Sequence, residues 1–331
     1  MPERQVVGFE ALTLDDPAST VDAIVEGLRH TARGFRRRGG VLGISGGIDS
    51  SVVAALAARA FGADRVVGVL MPESDSSPDT LRLSRLAAKA FGIPTVLEDI
   101  TSVLEAVGCY RRRDAAFRRV LPDYGDGWRA KLVLPSVIDS DAYRLFSVVA
   151  VDPAGNEHRA RLTADAYLEV VAATNFKQRT RKMLEYHHAD RCNYLVLGTP
   201  NRLEYDQGFF VKNGDGAADI KPIAHLYKTQ VYQLAQVLDV PEEIRLRPPT
   251  TDTYAMPQSQ EEFYFSLPYD RMDLCLYAVD NGLPPEAVSA ALQLSVEQIR
   301  RVFADIAAKR RVARYLHDAP VVLADLRRPR S

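Results

Sequence analysis

The sequence predicts a doubly wound α/β fold: a mostly parallel sheet with helices on both faces, an inserted β-hairpin and a helical C-terminal region. Three observations carry that prediction. Short apolar runs alternate with helix-period segments up to Ile100, and such alternation builds a parallel sheet with crossover helices. A turn string, Asp152-Pro153-Ala154-Gly155-Asn156, separates two strand-like stretches in mid-chain. From Pro268 onward helical periodicity dominates.

Taken in order, Val21, Ile24, Val25, Leu28 and Thr31 recur at helical spacing, so residues 18–38 form a helix. Val41-Leu42-Gly43-Ile44 is a buried strand, followed by a helix over 51–61. Residues 65–72 hold a second strand, 79–91 a helix and 95–100 a third strand. After Ile100 the rhythm breaks. Residues 107–130 carry Arg111, Arg112, Arg113, Arg118, Arg119 and Arg129 among apolar residues. The stretches 143–151 and 157–162 then flank the turn as a hairpin, which closes an insertion at about 107–165. The core resumes with a helix over 175–188 and a strand over 194–199, then a polar loop and a segment reaching Leu238. A Pro-rich loop spans 245–257, and helices cover 284–293 and 295–315. Ser295 and Gln298 form a capping box ahead of Ile299, Val302 and Ile306. Residues 1–270 thus read as one domain carrying the insertion, and 271–331 as a helical extension packed on it.

Composition narrows the function. The chain has 331 residues, 47% of them hydrophobic, and a net charge of −1. It has ample apolar residues for a core, and no global charge to attract nucleic acid or an anionic membrane. No apolar run is long enough to span a bilayer, and the first residues lack a basic-then-apolar leader. Cys109, Cys192 and Cys275 lie far apart, with no CxxC. That spacing fits a reducing, cytoplasmic setting and argues against a redox or zinc motif.

The chemistry begins at Ser45-Gly46-Gly47-Ile48-Asp49-Ser50-Ser51, between a strand and a helix. A helix N-terminus offers unpaired N–H groups and partial positive charge. Gly46 and Gly47 let the backbone approach phosphate oxygens. Ser45, Ser50 and Ser51 add hydroxyls. Asp49 is out of place beside an anion unless a divalent cation lies between them, so the loop predicts a nucleotide pyrophosphate with Mg2+. An ordinary serine-capped turn would explain a lone Ser-Gly-Gly, but not the whole string. It is not a Walker A loop, which excludes γ-phosphoryl transfer as the default.

Further cations and carboxylates sit in the second half. Asn175-Phe176-Lys177-Gln178-Arg179-Thr180-Arg181-Lys182 places several cations at the expected helix start, where Arg179 can fork around a phosphate or carboxylate. A solvated basic face is the plainer reading. Gly198-Thr199-Pro200-Asn201-Arg202-Leu203-Glu204 follows a strand, at the ligand edge of the sheet. Gly214-Asp215-Gly216-Ala217-Ala218-Asp219 is a tight acidic turn between Lys212 and Lys221. Two aspartates are too few for a calcium cage but suit ribose hydroxyls or an amide nitrogen. Lys228 begins a helix, from which it reaches toward a phosphate.

The Ser45 string resembles the pyrophosphate loop of the N-type ATP pyrophosphatases, enzymes of Rossmann-like fold that adenylylate an acceptor oxygen. Over about residues 20–270 the chain resembles the ammonia-dependent NAD synthetases. The resemblance rests on that loop, on Asn175–Arg181, on Gly198–Glu204, on the string from Gly208 to Asp219 and on Leu226–Gln230. It implies that Ser45, Gly46, Gly47, Asp49, Ser50, Ser51, Thr199, Lys228 and Thr250 meet ATP, and that Asp49 and Glu204 hold Mg2+. Asp49, Lys228 and Glu204 would carry the catalysis. Arg179, Lys212, Asp215 and Asp219 would meet the acceptor, deamido-NAD, in a homodimer. Pro257-Gln258-Ser259 is similar to the loop that closes over ATP in this family. The chain departs from the family in about 40 residues added around the hairpin, and in Glu204-Tyr205-Asp206-Gln207.

The expected reaction is therefore acyl-adenylate formation followed by attack of ammonia. No Ser/His/Asp or Cys/His set supplies a protein nucleophile, and His187 and His188 are adjacent on one helix. Only about 40 residues precede Ser45, too few for a glutaminase domain, so ammonia arrives free or from a separate glutaminase. Two other readings stand beside this one: a paralogue amidating a different, secondary-metabolite acid, and a nucleotide-binding regulator without turnover. The insertion leaves the core after the third strand and is expected to tune the acceptor or the partner rather than ATP use.

Overall fold

The computed structural model describes residues 6–138, 146–250 and 253–323. Helix α1 (Pro17–Gly34) starts at Asp16, whose carboxylate accepts from Ala18 and Ser19 N–H, and its buried stripe runs through Val21, Ile24, Val25 and Leu28. Strand β1 (Gly40–Gly43) leads to α2 (Ile48–Phe61), β2 (Val66–Leu70), α3 (Pro78–Ala90) and β3 (Thr95–Leu97). Short helices α4 (Thr101–Ala106) and α5 (Cys109–Arg118) begin the insertion. Strands β4 (Arg129–Val133), β5 (Ser147–Val151) and β6 (Glu157–Arg161) complete it. Then come α6 (Ala164–Cys192), β7 (Leu195–Val196), α7 (Arg202–Gln207), α8 (Lys228–Val237) and α9 (Glu242–Leu246). The C-terminal region is α10 (Tyr269–Asp280), α11 (Ser289–Leu292) and α12 (Val296–His317), the last opened by the Ser295/Gln298 capping box.

The main sheet has the order β3-β2-β1-β7, with every pair parallel. Alternating side chains serve two faces. Leu42, Ile44, Val66 and Leu195 pack with α1, α2 and α8, whereas Val41, Val69 and Val196 meet Ala189 of α6. The chain leaves β1 in one direction toward β2 and β3 and returns on its other side as β7. The crevice at the carboxyl end of β1 is therefore the switch point where such sheets bind ligands.

Three features differ from the sequence prediction. The hairpin belongs to a three-stranded antiparallel sheet, β4-β5-β6, with Lys131 opposite Val149 and Val149 opposite Arg159. Residues 143–145 of the expected strand lie outside the described residues. Helix α6 begins at Ala164, capped by Thr163, and not near 175. Its buried face mixes Val170 and Ala173 with Lys177, Lys182, Glu185 and His188, so no apolar stripe marks it. The polar loop after β7 contains α7, whose Asn201/Glu204 capping box is itself a helix signal.

The C-terminal helices share a core with the site-bearing segments. Met272, Leu276, Ile299, Val302 and Ile306 cluster with Leu203 of α7 and with Tyr227 ahead of α8. Ion pairs extend the contact: Arg310 bonds Asp206 at 2.8 Å and Asp280 at 2.5 Å, while Arg202 meets Asp280 at 2.6 Å.

Candidate active site

A cavity of about 450 Å³ opens at the carboxyl edge of β1 and β2. The Ser45 loop forms its floor. Gly46 takes φ +76°, and a Cβ there would come within 2.7 Å of Leu83 Cβ and 2.9 Å of Ser84 N. Only glycine fits that turn. No side chain caps α2, so its first N–H groups face the cavity as an anion site. Ser45 and Ser50 hydroxyls lie 3.1 Å apart, and Ser50 also donates to the Gly47 carbonyl at 3.0 Å. Ser51 turns the other way: fully buried, it donates to Gly47 O at 2.9 Å and does not line the cavity.

Across the floor, Lys228 at the first position of α8 is 1% exposed, and its ammonium pairs with Asp49. The Asn201 amide donates to Asp49 Oδ1 at 3.2 Å, while Asn201 Oδ1 accepts the Glu204 N–H at 3.1 Å. The Asn201 N–H donates to Glu204 Oε2 at 3.2 Å, so Asn201 bridges the two predicted metal carboxylates. Burial raises the Glu204 pKa, the Asp49 charge raises it further, and Lys228 only partly opposes them. Burial acts to lower the Lys228 pKa, but Asp49 and then Glu204 overcome it, so the ammonium stays charged. Two carboxyl groups and one lysine therefore share the site, with Lys228 paired to Asp49 and the buried Glu204 pushed toward its neutral form.

Thr199, Thr250 and Asp215 also line the cavity. Removal from water raises the Asp215 pKa, and its Oδ1 accepts the Val211 N–H at 2.7 Å. Arg179, Lys212 and Asp219 lie outside the lining. Arg179 Nε donates to Lys212 O at 3.3 Å, the Lys212 ammonium donates to Tyr315 O at 2.6 Å, and Asp219 accepts the Val196 N–H at 2.7 Å.

Helix α6 divides the cations that the sequence places together. Lys177 and Lys182 point inward, while Arg179 is exposed. Lys182 pairs with Glu185 at 2.6 Å, and both line the cavity. Their i,i+3 spacing was the available signal. Lys177 is 2% exposed and donates to Glu73 at 2.8 Å, Asp75 at 2.6 Å and Thr253 O at 2.8 Å. Arg113 of the insertion pairs with the same Asp75, and the Tyr110 hydroxyl donates to Glu73 at 2.7 Å. No local pattern announces this cluster, because its members come from four separate segments. The insertion also holds the segment just after the Pro-rich loop: the Gln258 amide donates to Leu132 O, and Lys131 meets Glu262 at 2.7 Å.

Comparison with known proteins places the chain. The model of the NAD synthase family matches residues 20–118 and 142–313, the gap falling within the insertion. The NH(3)-dependent NAD(+) synthetase of Rhizobium meliloti (strain 1021) is 60% identical over 320 residues, covering 96% of each chain. That of Thermotoga maritima is 32% identical over 281 residues, covering 85% of this chain and 93% of the other. Among solved structures, NMN synthetase from Francisella tularensis superposes with a TM-score of 0.65 at 21% identity, covering 93% and 98% of the two chains. At that identity the likeness concerns the fold alone.

Proposed function

This chain belongs to the NAD synthase family, and from that membership we propose its reaction to be the ATP-dependent amidation of deamido-NAD by ammonia, giving NAD, AMP and pyrophosphate. It is a ligase forming a C–N bond. One observation carries the reading: the Ser45 loop, Asp49, Glu204 and Lys228 face a single cavity at the switch point of the sheet. Identity of 60% over nearly the whole chain disfavours a different carboxylate.

The chemistry follows from the arrangement. The acceptor carboxylate attacks the α-phosphorus of ATP in line. A new O–P bond forms and the bond to pyrophosphate breaks. N–H groups of the Ser45 loop and the Lys228 ammonium meet the charge that gathers on the leaving group. Ammonia then adds to the acyl carbon, its excess proton departs, and the C–O bond to AMP breaks. Asp49 and Glu204 suit Mg2+: both are oxygen donors, and a cation beside them would favour the ionised form of the buried Glu204. An ion held mainly by phosphates and water needs only one or two carboxylates from the protein. When bound, Mg2+ neutralises phosphate charge.

Thr199 and Thr250 would contact ATP, and Asp215 the acceptor within the cavity. Arg179, Lys212 and Asp219 sit outside it, which fits an acceptor site completed by a second copy of this chain. The expected state is a homodimer; light scattering that finds a monomer at micromolar concentration counts against it. The free cysteines Cys109, Cys192 and Cys275 fit a cytoplasmic enzyme. Among the described residues no helix is long and apolar enough to cross a membrane.

The test is turnover of purified protein with ATP, Mg2+, deamido-NAD and either ammonium or glutamine. Equal amounts of NAD, AMP and pyrophosphate are expected with ammonium. Glutamine should fail to replace it, leaving a separate glutaminase as the other ammonia source. ATP consumption without NAD, or efficient glutamine use by the pure chain, contradicts this reading.

A further inference from the structure

Lys228 is held from behind by the C-terminal region. Helix α10 places Tyr269 and Asp273 four residues apart, and therefore on one face. The Lys228 ammonium lies 5.1 Å from the centroid of the Tyr269 ring. At the other end of the same lysine, Asp273 grips the helix from which it springs. Its Oδ2 accepts both the N–H and the hydroxyl of Thr229 at 2.7 Å, and the residue is 0% exposed. A carboxylate there pairs with the first-turn donors of α8 and complements its dipole. One helix face thus contacts Lys228 at its tip, through a ring, and at its root, through the backbone. The Tyr269 hydroxyl donates to Gln260, which lines the cavity, whereas Tyr269 and Asp273 do not.

We propose that Tyr269 and Asp273 are positioning residues that hold the Lys228 ammonium at the pyrophosphate end of the cavity, so that the helices after Pro268 are part of the catalytic apparatus. The proposal rests on the reading of Lys228 given above. A lysine has a flexible four-carbon stem, and a buried ammonium with two carboxylates beside it has competing poses. The ring and the capped helix select one of them. A ring face attracts the cation without neutralising it, leaving its charge for the leaving group.

The experiment measures pyrophosphate release and thermal melting for Tyr269→Leu, Tyr269→Trp and Asp273→Asn, each in the parent chain and in Lys228→Ala. In the parent, Tyr269→Leu should lower kcat by about ten- to thirtyfold, with little change in KM for ATP. Tyr269→Trp, which keeps a ring face, should stay within about threefold of the parent. Asp273→Asn should cost about tenfold. In Lys228→Ala the same substitutions should change the residual rate by less than about twofold, since they act only through the missing ammonium. Full effects persisting in Lys228→Ala would show a general packing role and overturn the proposal. So would a Trp variant as poor as Leu. Parent-like turnover by Lys228→Ala itself would remove the underlying reading and the proposal with it. If Asp273→Asn does not fold, the Tyr269 pair alone decides.

Discussion

Asp49→Asn should reduce pyrophosphate release from ATP by about a thousandfold, the upper range for losing one charge-organising group in an active site. Asparagine keeps the shape of the side chain and can still accept from Asn201 and Lys228, whose contacts Asp49 now makes. What disappears is the charge that balances Lys228 and that would help hold Mg2+. From the sequence, Asp49 is a loop ligand whose loss leaves packing untouched. The structure modifies that expectation, because Lys228 is 1% exposed and Asp49 is its ion-pair partner. Breaking a buried pair costs about 3–5 kcal/mol when nothing replaces the lost charge. Here Glu204 remains beside Lys228, so the melting temperature should fall modestly while the chain still folds. Melting curves and pyrophosphate release measured on one preparation check both parts. A variant that turns over like the parent removes Asp49 from the site.

Lys177→Met should produce the largest loss of stability, about 3–5 kcal/mol. The Glu73 carboxylate is 0% exposed and that of Asp75 8%, and Lys177 bonds both. Arg113 would still neutralise Asp75, which leaves Glu73 with two neutral donors, the Tyr110 hydroxyl and the Asp75 N–H. An uncompensated buried carboxylate is the source of the cost. Denaturant unfolding of Lys177→Met, and of Lys177→Met combined with Glu73→Gln, measures it. The second change should recover part of the loss by removing the stranded charge. An unchanged midpoint for the single variant would show that water already reaches the cluster. The variant should also raise KM for ATP, because Lys177 holds the carbonyl of Thr253, three residues from Thr250.

That second effect bears on the insertion. From the sequence it is expected to tune the acceptor or the partner, because it leaves the core after the third strand, at the ligand edge of the sheet. Arg113 of α5 pairs with Asp75 in the loop after β2, and Leu132 of β4 receives Gln258, just past the Pro-rich loop. Asp75 is adjacent to Ser76, which lines the cavity, although neither contact itself does. Neither contact is legible locally, since β4 becomes a strand only by pairing with β5 further along the chain.

The sequence by itself determined the parallel core, the Ser45 turn and the cap of α12. Each depends on neighbours a few residues apart: apolar runs between helical periods, two glycines and three serines at a helix start, a serine three residues before a glutamine. Only the tertiary structure decided which charges do what. Along α6 it turned Lys177 and Lys182 inward and left Arg179 outside, a choice set by what packs on each face and invisible in a run of like cations. It also brought Lys228 to Asp49 across 179 positions and set Tyr269 and Asp273 behind it. Such pairings arise from how the helices after β7 fold back on β1. Charge interactions act through space, so a linear pattern carries no record of them until the sheet has placed the segments side by side.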